Sequence, residues 1–141
     1  MIYLLHTDHI SLMDRGGREG QAIRSRLKRV PPDDVSASTI SYEEQIRGWM
    51  SVIAQARTAQ QQVPFYRELE RLLRFYCLTP LMPFDADAAE HHTRLRQAHV
   101  RIGTMDLKIA AIALANNATL LTRNLADFSK VPELKAEDWS F

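Results

Sequence analysis

Short hydrophobic runs divide the chain into segments with the length of buried strands. Such runs occupy residues 2–5, 35–41, 81–84 and 119–122. Runs of this length that are rich in aliphatic or β-branched residues and bounded by polar residues or proline are typical of strands inside a sheet. The apolar residues of the tail, residues 130–141, make that segment a candidate for a fifth strand at the sheet edge.

Longer segments between these runs have hydrophobic residues at helical spacing. One predicted helix ends near Met13, and the others cover residues 19–29, 42–59, 65–76, 85–98 and 105–115. We expect the third and fourth helices, separated by a polar break at residues 60–63, to pack as an antiparallel hairpin. Helices that alternate with strands predict an α/β fold with a mainly parallel central sheet of four to five short strands, flanked by helices.

The segment 101–128 is predicted to form a helix, a strand and a polar loop. Thr104 is the expected N-cap, because its hydroxyl can accept a hydrogen bond from a free amide of the first turn. The helix is apolar on nearly all sides and should be buried on more than one of them. Asn116 and Asn117 should end it, because Asn tolerates the left-handed conformation of a helix end. Asp106 is the exception in the first turn, where the macrodipole alone favours an acid.

The composition is that of an ordinary globular protein, with 45% hydrophobic and 25% charged residues. The 141 residues suit a single domain over residues 1–141, since domains most often contain about 100–150 residues. Cys77 is the only cysteine, so no internal disulfide can form, which fits a reducing compartment. No apolar run is long enough to span a membrane, and the first residues lack the basic region of a signal peptide. We therefore expect a cytoplasmic protein without a membrane segment.

The net charge of +1 excludes no class of partner, but the distribution of charge is uneven. Arginines are crowded into the first quarter of the chain and greatly outnumber lysines overall. The planar guanidinium suits phosphate groups, which favours a nucleic-acid partner. The alternative is that these arginines form solvated helix faces.

Polar side chains follow three of the predicted strands. In an open parallel sheet, ligands bind outside the carboxyl ends of the strands. The residues expected there are His6, Asp8, Glu43, Glu44, Asn124 and Asp127, with Asp106 facing the same edge from its helix. Clustered carboxylates repel one another unless a cation joins them, and hard oxygen ligands suit Mg²⁺ or Mn²⁺. Such an ion activates water in phosphodiester hydrolysis. Each acid taken alone is also explained as a helix cap or a surface charge.

Four stretches in order resemble the motifs of the PIN domain, and specifically of the VapC-type toxin ribonucleases of bacterial toxin–antitoxin pairs. The first is MIYLLHTDHISL, where the family opens with a strand and an Asp. The second is STISYEEQIRG, in which Glu44 lies four residues before Gly48. The third is RIGTMDLKIAAIALANNATLLTRN, with its acid at Asp106, and the fourth is NLADFSKVPEL. The resemblance covers almost the whole chain.

This resemblance implies a PIN-like three-layer fold and an endoribonuclease that depends on Mg²⁺ or Mn²⁺. It also implies a VapB-type antitoxin as partner, an RNA substrate and pairing into homodimers. The implied acidic site residues are Glu44, Asp106 and Asp127, and Asp8 and Asn124 would be further metal ligands or orienting groups. Glu43 competes with Glu44, because a shift of one residue at a strand-to-helix junction lies within the accuracy of the prediction.

His6 departs from the family pattern, which has its first acid at this position. Imidazole is a poor ligand for Mg²⁺, although Mn²⁺ or Zn²⁺ accepts it. His6 is thus kept as a catalytic and metal-site candidate that weakens the site. Two hypotheses explain it: a detoxified copy in which His replaced a native Asp, or a naturally weakened member that binds rather than cuts. A third explanation is that His6 is simply a histidine at a strand end that forms local hydrogen bonds.

Two other chemistries are excluded by spacing. The remaining histidines match no zinc pattern, and the glycines at residues 16–20 lack the Lys and Ser or Thr of a phosphate-binding loop. An interaction protein remains the alternative to an enzyme. Its antitoxin surface would be the hairpin of residues 42–76, with Trp49, Phe65 and Tyr66 partly exposed.

Overall fold

A computed structural model describes residues 1–141 as a five-stranded parallel sheet with helices on both faces. The strands are β1 (Tyr3–Leu5), β2 (Val35–Ser38), β3 (Leu81–Met82), β4 (Thr119–Leu121) and β5 (Lys135–Glu137). Their order across the sheet is β3-β2-β1-β4-β5. The predicted α/β class and parallel sheet are therefore confirmed, and the tail does supply the fifth strand.

Seven α-helices connect and cover the strands. They are α1 (Thr7–Arg15), α2 (Arg18–Leu27), α3 (Thr39–Gln55), α4 (Ala59–Leu78), α5 (Ala86–Gln97), α6 (Thr104–Ala115) and α7 (Leu125–Phe128), with a short 3-10 turn at Pro32–Asp34. None of them is long and apolar enough to cross a membrane.

Two hydrophobic cores lie on opposite faces of the sheet, because side chains alternate along each strand. Leu4 and Leu120 belong to the core beneath α5 and α6. Leu5 and Leu121, one residue further along, belong to the core that includes residues of α1 and α2. This alternation produces the three-layer arrangement. It also explains the apolar α6, where the residues from Ile109 to Ala113 are all buried.

Several predicted boundaries are wrong by a few residues. The second strand ends at Ser38 rather than at residue 41, because the Ser38 hydroxyl accepts a hydrogen bond from the Ser41 amide at 3.0 Å and starts α3 early. Gly103, not Thr104, occupies the N-cap position of α6. The third strand is only two residues long, because Pro83 has no amide proton to continue the ladder.

The helical hairpin is confirmed, but its break lies at residues 56–58 instead of 60–63. Thr58 caps α4 by accepting a hydrogen bond from the Gln61 amide at 3.1 Å, so the predicted break falls inside the helix. Pro64 also lies inside α4, where it removes the hydrogen bond to the carbonyl of Gln60. Gln60 is exposed, so water can satisfy that carbonyl. The polar loop predicted after β4 contains the short helix α7.

Close packing of α1 against α2 depends on Gly20. A Cβ atom there would overlap the carbonyl oxygen of Leu12 and lie 3.2 Å from Cα of Met13. We expect Gly20→Ala to lower the free energy of unfolding by about 2 kcal/mol or more, the cost typical of overpacking. Gly48→Ala is the matched control: it lies inside α3 with no atom within 4 Å, and should stabilise by about 0.5–1 kcal/mol. Urea unfolding measures both, and shifts of the same sign would contradict this account.

Candidate functional site at the carboxyl edge of the sheet

The ends of β1 and β4 meet the first turns of α1 and α6. The backbone amide of His6 donates to the carbonyl of Leu121 at 3.0 Å, so the residues that follow the two strands lie side by side. Asp8 is in the first turn of α1, and Asp106 is in the first turn of α6. Two helix N-termini therefore direct their acids at one edge of the sheet, where the partial positive charge of each helix favours a carboxylate.

His6 lies between these two carboxylates. Its Nε2 is 2.8 Å from Oδ1 of Asp106, and its Nδ1 is 3.1 Å from Oδ2 of Asp8. The ring is buried and lies nearly perpendicular to the ring of Phe128, with centroids 5.2 Å apart. A histidine that donates from both nitrogens is an imidazolium cation. The structure thus has a side-chain cation between the two acids.

The electrostatics of the pair agree with this geometry. Burial by itself would lower the pKa of His6, but the hydrogen bonds to Asp106 and Asp8 outweigh it and raise the pKa to about 9. Burial would likewise raise the pKa of Asp8, but its hydrogen bonds with His6 and His9 hold that pKa well below its usual range. At neutral pH the site is a charged carboxylate–imidazolium–carboxylate bridge.

Asp8 accepts hydrogen bonds from four donors. Its Oδ2 accepts from Thr122 Oγ1 at 3.0 Å and from the Arg123 amide at 3.0 Å, in addition to His6. Its Oδ1 accepts from Nδ1 of His9 at 2.8 Å. Three of these donors share Oδ2 and fill its two lone-pair positions, whereas Oδ1 has a single donor.

A divalent cation does not fit the side chains in this arrangement. The imidazolium of His6 occupies the position between Asp8 and Asp106 where an ion would have to lie. The Oδ2 atom of Asp8, which faces His6, already accepts from three donors. No group of three or more His, Cys, Asp or Glu side chains is arranged so that it could hold a metal ion.

Glu44 faces this edge of the sheet, whereas Glu43 does not. Thr7 Oγ1, directly after His6, lies 2.8 Å from Oε1 of Glu44 and 2.8 Å from Oγ of Ser41. Glu43 instead pairs with the exposed Arg47 along α3 at 2.7 Å. Of the two rivals, Glu44 is the one that the structure brings to the site.

Asn124 and Asp127 form a separate pair at the rim. The amide Nδ2 of Asn124 donates to Oδ2 of Asp127 at 3.0 Å, and Lys130 lies 3.3 Å from the other oxygen. The hydrogen bond from Asn124 and then the one from Lys130 lower the pKa of Asp127. Neither residue bonds His6, Asp8 or Asp106. The residues predicted as one ligand set therefore form two separate groups: the inner bridge around His6 and the outer pair of Asn124 and Asp127.

A basic cleft of about 710 Å³ adjoins this rim. Asp127 lines it together with residues of α5, of the α5–α6 loop and of the first turns of α6. Its basic side chains are His92, Arg96, His99 and Arg101. Neither Arg96 nor Arg101 forms a salt bridge with the chain. Free guanidinium groups beside the site suit the phosphates of a nucleic acid.

Sequence reasoning missed four residues that organise the site: Thr7, His9, Ser41 and Thr122. Thr122 and Thr7 were visible as polar residues directly after strands, which is the one signal that could have identified them. His9 and Ser41 carry no such signal, because their roles depend on partners that are remote in sequence. His9 bonds Trp139 as well as its neighbour Asp8, and Ser41 bonds Thr7.

The hairpin α3–α4 exposes apolar surface, as predicted. Tyr66 is 50% exposed and Leu73 is 55% exposed, and both lie on α4. Trp49 and Phe65 are half-buried against each other, with ring centroids 6.2 Å apart. None of the three aromatic residues expected at this surface is fully buried.

Comparisons with known proteins agree in sequence and in fold. Residues 9–134 match the family model described as PIN domain. The chain is 30% identical over 142 residues, with 99% of each chain covered, to the Ribonuclease VapC1 of Haemophilus influenzae (strain R2866). A stretch of 50 residues, 36% of this chain and 37% of its relative, is 46% identical to the Ribonuclease VapC2 of Rickettsia felis. The solved structure of VapBC-1 from nontypeable Haemophilus influenzae aligns over the whole of both chains with a TM-score of 0.75 and 25% identity.

The bridge predicts a fall in stability at alkaline pH. The pKa of His6 is raised from 6.5 to about 9 on folding, so its contribution is complete below pH 6.5 and is lost as the pH rises through about 9. The whole contribution is roughly 3 kcal/mol. Denaturant unfolding at several pH values should show this loss. The His6→Asn variant, which does not titrate, should show a flatter profile, and identical profiles would contradict the bridge.

Proposed function

Because the chain belongs to the PIN-domain family and is one of its VapC-type members, we propose that it is the toxin component of a toxin–antitoxin module. We propose a single PIN domain over residues 1–141, with an endoribonuclease site that His6 weakens. The observation that carries this proposal is the bridge Asp8–His6–Asp106, in which a side chain supplies half of the positive charge that a divalent ion would supply.

The remaining parts of the site support phosphodiester chemistry. Asp106, Glu44 and Asp127 would be the acids, with Asp8 and Asn124 as orienting groups. In this proposal Asp8 and Asp106 would hold Mg²⁺ or Mn²⁺ only where His6 does not lie between them. The ion would then supply charge for activating water and stabilising the leaving oxygen. The basic cleft beside Asp127 would hold the RNA backbone through its phosphates.

The second proposed role is antitoxin binding. The solved structure that aligns with the whole chain is that of VapBC-1 from nontypeable Haemophilus influenzae. On this chain, the exposed apolar side chains of α3–α4 suit a protein partner, because clustered exposed apolar side chains mark interaction sites. We propose that a VapB-type antitoxin binds this hairpin and that two copies of the chain pair in the assembly. This role does not require the acids, so it persists where cleavage is weak.

We expect His6→Asp to increase RNA cleavage in Mg²⁺ or Mn²⁺ by at least about 10-fold. The substitution removes the internal cation and adds a carboxylate, so that the cluster needs a divalent ion. Cleavage of a mixed RNA substrate by the purified proteins measures the effect. The control is His6→Asp combined with Asp106→Asn, which should be as slow as the unchanged protein. Equal rates of cleavage by the unchanged protein and by the His6→Asp protein would refute the proposal that His6 weakens the site.

Divalent ions should also affect stability differently in the two proteins. Ligands that bind only the folded state stabilise it, so Mg²⁺ should raise the melting temperature of the His6→Asp protein. The unchanged protein should show no such rise, because His6 occupies the position of the ion. Thermal unfolding with and without Mg²⁺ measures this. A rise of equal size in both proteins would show that the ion binds elsewhere.

For the antitoxin surface, we expect Tyr66→Glu combined with Leu73→Glu to weaken binding at least about 10-fold. The two residues are seven positions apart on α4 and so share a face, and a buried charge without a partner is costly. Calorimetric titration with the purified cognate antitoxin measures the affinity. Ile2→Glu is the control, since Ile2 is 42% exposed and lies directly before β1, outside the hairpin. Equal losses in both proteins would place the antitoxin elsewhere.

A further inference from the structure

His9 is a fully buried histidine that the proposed chemistry does not use. It follows Asp8 in α1. Its Nδ1 is 2.8 Å from Oδ1 of Asp8, and its Nε2 accepts a hydrogen bond from the backbone amide of Trp139 at 3.1 Å. One imidazole ring therefore connects an acid of the site to the C-terminal end of the chain.

The polarity of these two hydrogen bonds fixes the tautomer of the ring. The amide of Trp139 can only donate, so Nε2 must carry the lone pair. Nδ1 then carries the proton and donates it to Asp8. Asp138 is no competitor, because its Oδ1 lies 3.8 Å from Nε2 and instead accepts from the amide and the hydroxyl of Ser140 at 2.8 and 2.6 Å.

The C-terminal segment that holds the ring is itself firmly docked. The indole of Trp139 packs against Tyr3 with ring centroids 4.8 Å apart, and the guanidinium of Arg26 lies 5.0 Å from the indole centroid. Arg26 also donates to the carbonyl of Asp138 at 3.2 Å. Contacts from β1 and α2 thus fix the backbone of Trp139, and that backbone fixes His9.

We infer that His9 is a positioning residue that sets the orientation of the Asp8 carboxylate and couples it to the docked segment 138–140. The Oδ2 atom of Asp8 is held by His6, Thr122 and Arg123, whereas its Oδ1 atom has only the proton of His9. Without that donor the carboxylate can turn about its last bond. This inference rests on the proposed function, because the role of Asp8 in cleavage is part of that proposal.

Two substitutions separate the functions of the two ring nitrogens. In the His6→Asp protein, His9→Asn places an amide near the Nδ1 position and keeps a donor for Asp8. His9→Gln places an amide near the Nε2 position and keeps an acceptor for Trp139. Each loses one hydrogen bond, so both should lower the melting temperature. The rate of cleavage, in contrast, should fall about 10- to 100-fold with His9→Gln, as is usual when an orienting partner is removed. The loss of rate with His9→Asn should be roughly tenfold smaller than the loss with His9→Gln. Equal losses, or none in either protein, would overturn the positioning role.

A spectroscopic measurement on the unchanged protein needs no activity. Nitrogen-15 NMR should show the His9 proton on Nδ1, protected from exchange, and a bare Nε2. A proton on Nε2 would overturn the inference. If the His6→Asp protein cleaves no RNA, the proposed function is wrong, and this NMR signal still decides whether His9 holds Asp8.

Discussion

The contact of His6 with Asp8 and Asp106 is the interaction on which the functional edge of this protein depends. Two helices begin there, and each brings an acid to the end of β1. Carboxylates this close are unfavourable unless positive charge lies between them. The imidazolium meets that need from within the chain, and the Phe128 ring packs against it. One of the two negative charges of this centre is therefore already balanced when the protein folds.

The register of the sheet sets this contact in place. Leu4 and Leu5 point into opposite cores, and so do Leu120 and Leu121 in the neighbouring strand. A shift of one residue would exchange every side chain between the two faces, so the cores hold the register firmly. With β1 and β4 fixed, His6 must lie beside Thr122, and the loop that follows Thr122 donates its backbone amide to Asp8. The geometry of the site is thus a consequence of aliphatic packing a few residues away.

Much of this arrangement could be predicted from the sequence, because it follows from patterns that are local. The short apolar runs predicted the parallel sheet, and the ends of those strands predicted that His6, Asp8 and Asp106 lie together. The choice between Glu43 and Glu44 could not be predicted, because it depends on where α3 begins, and the Ser38 cap moved that start by three residues. The role of His9 was invisible, because its partner Trp139 is remote in sequence. The separation of Asn124 and Asp127 from the inner bridge also depends on α7, a helix too short to leave a periodic pattern.

Helix α3 links the site to the proposed antitoxin surface. Its contacts explain how RNA cleavage and antitoxin binding, the two proposed roles, can vary independently. Its first turns carry Ser41 and Glu44, which meet Thr7, and its later turns carry the half-buried Trp49 of the hairpin. The contacts that hold the hairpin, such as the 2.6 Å hydrogen bond from the Tyr76 hydroxyl to Gln45, involve neither His6 nor its two acids. A histidine at position 6 therefore changes the charge of the site without changing the surface offered to a partner. Because the same histidine stabilises the folded edge, the weakened cleavage that we propose would carry no penalty in folding, and the proposed binding role would keep an intact PIN scaffold.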